Sequence, residues 1–324
     1  NNFHRITLDI TPNRADAFSH LGVARDIACK TNRIFTGVSV KKTSNKENSE
    51  KINISIENNN DCPRYIGGVI KNIKVGPSPK WLKDRLKACG QRSINNIVDV
   101  SNYVLMEMGH PNHIFDYESL RGKSIHVRRA KNKESLITLD EQKLELDVNN
   151  LVITDGEKPV ALAGIMGGLY SSVSYDTKSV FLESAFFDSI VTRKSSKNIG
   201  LYTEASKRYE RGVDINNCEI AFWRVVNLLE SIAGGELASN MIDIYPEPFE
   251  LKKVKVCRSK LDLVLGLNIS DSIVESILIG LEFKVKKIED GWSCTIPSFR
   301  PDITREIDII EEIARVYGYD RIPS

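Results

Sequence analysis

No apolar run in this sequence of 324 residues approaches the roughly 20 residues that a helical membrane span requires. A membrane partner is therefore not expected. The start of the chain lacks the basic-then-apolar pattern of a secretory leader. Cysteine is sparse: the six residues Cys29, Cys62, Cys89, Cys218, Cys257 and Cys294 are scattered, with no C-x-x-C. That spacing argues against a zinc site and a disulfide framework, and it makes the cytoplasm the natural compartment. An excess of one charge is also lacking, since 45 Lys and Arg stand against 43 Asp and Glu, a formal net charge of +2. No global field therefore points to a nucleic-acid partner. G-x-G-x-x-G, the phosphate loop with Gly-Lys-Ser/Thr and G-x-S-x-G are all missing, and no repeat of fixed period is visible.

What is present is ordinary for a globular chain of two or three domains: 41% hydrophobic and 27% charged residues. The first residue is Asn, and the opening reads as the interior of a longer protein. Residues 1–40 suggest strand, turn and helix, the turn at Thr11-Pro12-Asn13-Arg14 and the cap at Asn13 or Asp16. Residues 41–51, KKTSNKENSEK, contain no apolar residue and read as a linker. From 52 to 248 strands and helices mix without strict alternation, which favours α+β over a doubly wound sheet. Strands are expected at 65–70, 124–129, 136–139, 151–154, 160–165 and 180–187. Helices are expected after Pro77-Ser78-Pro79, through 94–105, near 188–198 and at 217–233, the last stopped by Gly234-Gly235. Residues 252–318 read as a small separate domain of strand, two helices, a strand pair and an acidic helix, a winged-helix-like order.

Several constellations could carry chemistry. Asp308, Glu311 and Glu312 recur at i, i+3 and i+4 on one helical face, with Asp302 just upstream, and oxygen ligands so placed suit Mg²⁺. A solvated acidic face explains the same pattern. His110-Pro111-Asn112-His113 offers a metal pair, a pocket histidine or a structural one. The small-residue run from Ala161 to Gly168 lets a backbone approach a ligand, or simply bends tightly. Glu183 interrupts an apolar strand. Pointing inward it needs a partner or a shifted pKa; pointing outward it is strand alternation. Thr203 fits a helix N-cap, with Ser206 at N3 expected to rule out a full capping box. Basic clusters occur at Lys80, Lys83, Arg85, Lys87, Arg92 and at Arg193, Lys194, Lys197, Lys207, Arg208, Arg211.

Longer motifs carry a resemblance that spans nearly the whole chain. Ile296-Pro297-Ser298-Phe299-Arg300-Pro301-Asp302-Ile303 with Glu311-Glu312-Ile313-Ala314-Arg315-Val316-Tyr317-Gly318-Tyr319 is similar to the beta-subunit family of bacterial phenylalanyl-tRNA synthetases. So are Asn96 to Tyr103, His110-Pro111-Asn112-His113-Ile114-Phe115-Asp116, Gly164-Ile165-Met166-Gly167-Gly168, Leu182-Glu183-Ser184-Ala185-Phe186-Phe187 and Arg208 to Asp214. Departures are Ile114, where Ala is usual, and Ala163, where Gly is frequent.

The resemblance implies a remainder of an amino-terminal domain at 1–40, a tRNA-editing domain at 52–248, the winged-helix-like domain at 252–318 and the start of a catalytic-like module at 319–324. The implied activity is hydrolysis of mischarged Tyr-tRNA(Phe), in support of aminoacylation by an alpha subunit in an assembly of two alpha and two beta chains. A pocket for phenylalanine rejects an added hydroxyl poorly, so a second, hydrolytic site has a purpose. By motif match Glu183 would accept the tyrosine hydroxyl, while His113 and Thr203 would position the ester or its water. Arg92 would meet the terminal nucleotide, and Gly164, Gly167 and Ala205 would leave room for substrate. Asp302, Asp308, Glu311 and Glu312 would hold Mg²⁺ shared with the alpha subunit. ATP would serve the full enzyme without binding this chain. A non-catalytic scaffold with an inactive pocket is the alternative, and the winged-helix-like domain could bind nucleic acid by itself.

Overall fold

The computed structural model describes residues 5–43 and 50–323. Most of the expected linker, residues 44–49, and the last residue of the 319–324 segment lie outside the described residues. The chain divides into two compact units, one of residues 1–9 and 39–248, the other of 10–38 and 249–324. The architecture is α+β.

In chain order the helices are α1 (His20–Lys30), α2 (Lys80–Ala88), α3 (Asn96–Met108), α4 (Ser189–Ile199), α5 (Glu204–Arg211), α6 (Asn217–Ala233), α7 (Arg258–Leu265), α8 (Asp271–Gly280) and α9 (Glu306–Tyr317). The strands of the first unit are β1 (Asn53–Ile56), β2 (Arg64–Lys71), β3 (His113–Asp116), β4 (Ser124–Arg129), β5 (Glu134–Ile137), β6 (Lys143–Leu146), β7 (Leu151–Thr154), β8 (Pro159–Leu162), β9 (Met166–Gly167), β10 (Val180–Phe186), β11 (Glu236–Leu237) and β12 (Ile242–Ile244). Those of the second are β13 (Lys253–Cys257), β14 (Lys284–Ile288) and β15 (Gly291–Thr295).

The first unit is layered. One sheet runs β1-β4-β7-β8-β9, and the other runs β11-β2-β10-β3 with β12 also on β2. Alternation along β2 and β10 sends Tyr65, Val69, Phe181 and Ala185 to one side. There they meet Ile54, Ile125, Ile153 and Val160 of the first sheet in one buried cluster. The opposite side is covered by α6, which contacts both β2 and β10 and packs on α3. Gly68 permits that close approach, since a Cβ there would lie 2.8 Å from the Phe222 ring.

Helix ends follow local chemistry. Asn95 accepts from the amides of Ile97 and Val98 at the start of α3, and Gly109 ends it at φ 70°. Asp188 accepts from Val191 at the start of α4. The expectation at α5 needs correcting. Ser206 completes the capping box: the Thr203 amide donates to Ser206 Oγ at 2.9 Å, and the Ser206 amide donates to Thr203 Oγ1 at 3.1 Å. A serine hydroxyl at N3 thus reaches back as a longer acid would.

The second unit is built from β13, α7, α8, the β14–β15 hairpin and α9, the order expected of the small domain, with its sheet ordered β13-β15-β14. Residues 10–38 differ from expectation. They share this unit instead of standing apart, and no strand precedes the helix among residues 5–19. Ser19, rather than Asn13 or Asp16, caps α1 by accepting from the Gly22 amide at 3.0 Å. An ion-pair chain accounts for the attachment. Arg14 bonds Asp16 and Asp26, Asp26 bonds Arg315 of α9, and Arg315 bonds Glu312.

Candidate functional site

β10 lies between β2 and β3, and its register decides what faces what. Glu183 is the direct cross-strand partner of His113 on one side and of Gly67 on the other. Side chains of such partners emerge on the same face a few ångströms apart. Glu183 therefore points inward and is 4% exposed. Around it lies a cavity of about 60 Å³ lined by residues that include Pro111, Asn112, His113, Gly164, Met166, Gly167, Ala205 and Tyr209.

The glycines make the cavity possible. A Cβ on Gly167 would stand 2.3 Å from His113 Cε1, inside the imidazole ring's own volume. Gly164 has φ 69°, and a Cβ there would stand 2.9 Å from the Tyr209 ring. Tyr209 is in turn fixed by its hydroxyl, which donates to the Ala185 carbonyl at 2.9 Å.

Electrostatically the pocket is a place of neutral groups. Burial pushes the Glu183 carboxyl up to about 8, against the opposing effect of Tyr65, whose hydroxyl donates to Oε2 at 2.8 Å. Burial holds His113 down to about 4, so its imidazole is uncharged at neutral pH. His113 Nε2 and Asn112 Oδ1 are buried without a hydrogen-bond partner among the described residues. Unclaimed polar atoms and a carboxyl of shifted pKa mark this pocket as a candidate site for a polar ligand.

The structure thus brings together His113, Glu183, Gly164, Gly167 and Ala205 of the residues singled out in the sequence. Two others stand elsewhere. Thr203 is not among the lining residues; its hydroxyl donates to the Ile165 carbonyl at 2.8 Å, clasping the pocket loop to the start of α5. Arg92 is exposed in the segment between α2 and α3 and does not line the cavity. Tyr65, Tyr209, Asn112 and Met166 escaped the sequence reading. Of these, Asn112, Met166 and Tyr209 stand within the quoted motifs, whereas Tyr65 lies in an expected strand with no local sign of a role at the site.

The carboxylates of the last helix are engaged by arginines. Glu312 is 4% exposed and accepts from Arg300 Nη1 at 2.5 Å and Arg315 Nη2 at 2.8 Å. Burial works against its ionisation, yet the hydrogen bonds from Arg315 and Arg300 outweigh that and hold it near 2. Asp302 accepts from Arg300, while Asp308 accepts from the amides of Thr304 and Arg305 at the helix start. Glu311 is exposed. No group of three or more His, Cys, Asp or Glu able to hold a metal occurs among the described residues. Within this chain, then, Asp302 and Glu312 are held by arginines, Asp308 by amides of the helix start, and Glu311 is the solvent-facing member of the set. The His110–His113 pair forms no such group either, and His110 is fully buried on its own.

Comparison with known proteins agrees with the two-part organisation. Residues 61–234, more than half of the chain, match the B3/4 domain model, and residues 254–319 match the tRNA synthetase B5 domain model. The phenylalanine–tRNA ligase beta subunit of Geobacter metallireducens is 44% identical over 321 residues, covering 98% of this chain and 40% of that protein. The one from Thermotoga maritima is 41% identical over 319 residues with the same coverage. The chain spans about two-fifths of the length of these relatives. The crystal structure of an N-terminal fragment of the phenylalanyl-tRNA synthetase beta subunit from Pyrococcus horikoshii covers 95% of this chain and 85% of its own. It does so at 16% identity and a TM-score of 0.46, too loose a likeness to build on. No described helix is long and apolar enough to cross a membrane.

Proposed function

The chain belongs to the B3/4 domain family, and from that premise we propose that its pocket hydrolyses tyrosine from mischarged tRNA(Phe). In this reading the chain is part of a cytoplasmic phenylalanine–tRNA ligase beta subunit. It supports aminoacylation by an alpha subunit within an assembly of two alpha and two beta chains, and ATP is consumed elsewhere in that assembly. The observation that carries the reading is Glu183 facing His113 across β10 and β3 in a pocket floored by Gly164, Gly167 and Ala205.

The chemistry asks for two things. A phenolic hydroxyl must find a partner that a phenylalanine ring leaves unpaired, and Glu183 supplies it, with Tyr65 holding the carboxyl in place. Water must add to the ester carbonyl as the bond to the ribose oxygen breaks, with the proton passing to that oxygen. Neutral His113, with Nε2 unclaimed, orients the ester or the water by hydrogen bonding. Thr203 acts by holding the pocket loop through Ile165. No step is routed through Mg²⁺.

One observation favours the second reading, a scaffold with an inactive pocket. A cavity of about 60 Å³ is under half the ~150 Å³ of an engineered cavity that holds benzene. A tyrosyl ring enters only if the wall yields, and the unbranched Met166 is the pliant part of the lining. Hydrolysis of Tyr-tRNA(Phe) and Phe-tRNA(Phe) decides between the two. Selective loss of the tyrosyl ester, abolished by Glu183→Ala, is expected. Absent hydrolysis of both esters, with the alpha subunit present, establishes the scaffold, and equal hydrolysis of both refutes selection of tyrosine by Glu183.

A further inference from the structure

The pocket accounts for the amino acid but not for the RNA that would carry it. α4 and α5 pack together as a hairpin whose connection ends at the pocket. Leu201 packs against the cluster that contains Ile165, alongside Met166. Thr203 donates to the Ile165 carbonyl. Both neighbours of Tyr202 are thus tied to the pocket wall, and Tyr202 itself is turned outward, 59% exposed. The connection is held from behind as well: the Leu201 amide donates to the Ser196 carbonyl at 3.1 Å, and Ser196 Oγ donates to the Leu201 carbonyl. Tyr202 is therefore an aromatic side chain on a fixed loop at the rim of the site.

Charge sorts the two helices of the hairpin. On α5, Lys207 and the buried Arg208 both pair with Glu204. On α4, Arg193, Lys194 and Lys197 stand at i, i+1 and i+4, all exposed, and none of the ion pairs among the described residues engages them. Solvent-facing cations on the helix that leads into an exposed ring suit a single-stranded nucleic acid, phosphates meeting the charges and a base stacking on the ring.

We propose that Tyr202, with Arg193, Lys194 and Lys197 of α4, is the platform that receives the single-stranded 3′ end of an RNA, Tyr202 stacking a terminal base and the cations contacting its phosphates. The proposal rests on the reading of the pocket as a site for an aminoacyl-RNA ester. Tyr202 and the α4 cations are positioning groups, remote from bond breaking.

Binding without hydrolysis tests it. The chain is titrated, by fluorescence anisotropy, against an RNA hairpin with four unpaired 3′ nucleotides and against the same hairpin ending blunt. The overhang is expected to tighten binding. Tyr202→Ala is expected to weaken the overhanging RNA roughly 5- to 150-fold, the range for one stacked base, while Tyr202→Phe keeps parental affinity. Replacing Arg193, Lys194 and Lys197 together by Gln should reduce the slope of log affinity against log salt by about 2, for three single-strand phosphate contacts. Equal affinity for both hairpins, no binding by the parent chain, an unaltered Tyr202→Ala, or a Phe variant as weak as Ala overturns the proposal. Since no ester is involved, the outcome is separable from the hydrolytic reading. Overhang-dependent binding by a chain that spares tyrosyl esters refutes hydrolysis and leaves this surface standing.

Discussion

Glu183→Gln should flatten the pH dependence of stability of the unit that carries the pocket. Burial raises the folded carboxyl to about 8 from its ordinary 4.5. Between those values the folded state keeps a proton that the unfolded chain has released, so stability falls as pH rises, by up to ~1.4 kcal/mol per unit. His113 and His110 work in the opposite sense. Burial lowers them to about 4 and about 3, from 6.5. The unfolded state then holds the extra protons, and stability rises with pH through 6.5, levelling only about one unit above it. Because the histidines act alike in parent and variant, the difference between the two proteins across pH 6.5 to 8 isolates Glu183, and it comes to about 1.6 kcal/mol. Glutamine keeps an acceptor for the Tyr65 hydroxyl and has no proton to lose. Urea-dependent hydrogen exchange of a peptide covering residues 180–186, read by mass spectrometry at both pH values, reports on this unit alone. Over that window the parent should lose about 1.6 kcal/mol relative to Glu183→Gln. Equal slopes in the two proteins would refute the claim that the pocket holds this carboxyl in its neutral form.

The same titration has a functional face: a carboxylate accepts a phenolic proton more strongly than a carboxylic acid does, so preference for tyrosyl over phenylalanyl ester should rise between pH 7 and 9. A falling preference in a deacylation assay would show that the acid form of Glu183 donates instead. Gly167→Ala puts a methyl 2.3 Å from His113; we expect about 1–3 kcal/mol of destabilisation and loss of tyrosyl-ester hydrolysis, and wild-type turnover would mean that the His113 ring can move freely. Glu312→Gln leaves Arg300 and Arg315 short of a shared partner, at a cost of about 3–5 kcal/mol, visible as a lowered midpoint for exchange of α9 peptides. In the parent protein, Glu312, held near 2 by Arg315 and Arg300 against burial, contributes stability that is complete above pH 4.5 and lost as the pH falls toward 2; a level acid limb in exchange data would contradict that.

Where elements begin and end was written locally. Ser124–Arg129, Leu151–Thr154 and the helix ending at Gly234 occur at the expected residues because caps, glycines and apolar periodicity act within a few positions. β3 was missed because the four residues His113–Asp116 carry too little alternation to stand out, and β6, the hairpin partner of the expected strand near 136–139, because its apolar positions are few. At the carboxyl end, spacing correctly put Asp308, Glu311 and Glu312 on one helix. It could not say that Glu311 faces solvent while Glu312 is buried against arginines 12 and 3 residues away in sequence.

The candidate site divides along the same line. Small residues at Gly164, Gly167 and Ala205 and the presence of Glu183 and His113 were legible, because each sits in a motif long enough to recognise. That Glu183 points inward, opposite His113 and under the Tyr65 hydroxyl 118 positions away, came from strand register, since a slip of one residue would have turned the same carboxyl to the other face. By itself the sequence determined most of the elements, several of their ends and the family, all of which depend on neighbours along the chain. Only the tertiary structure decided which carboxyls are neutral, which are paired with arginine, and that residues 10–38 belong with the last helix, because burial and partner choice are set by segments that meet only when the chain has folded.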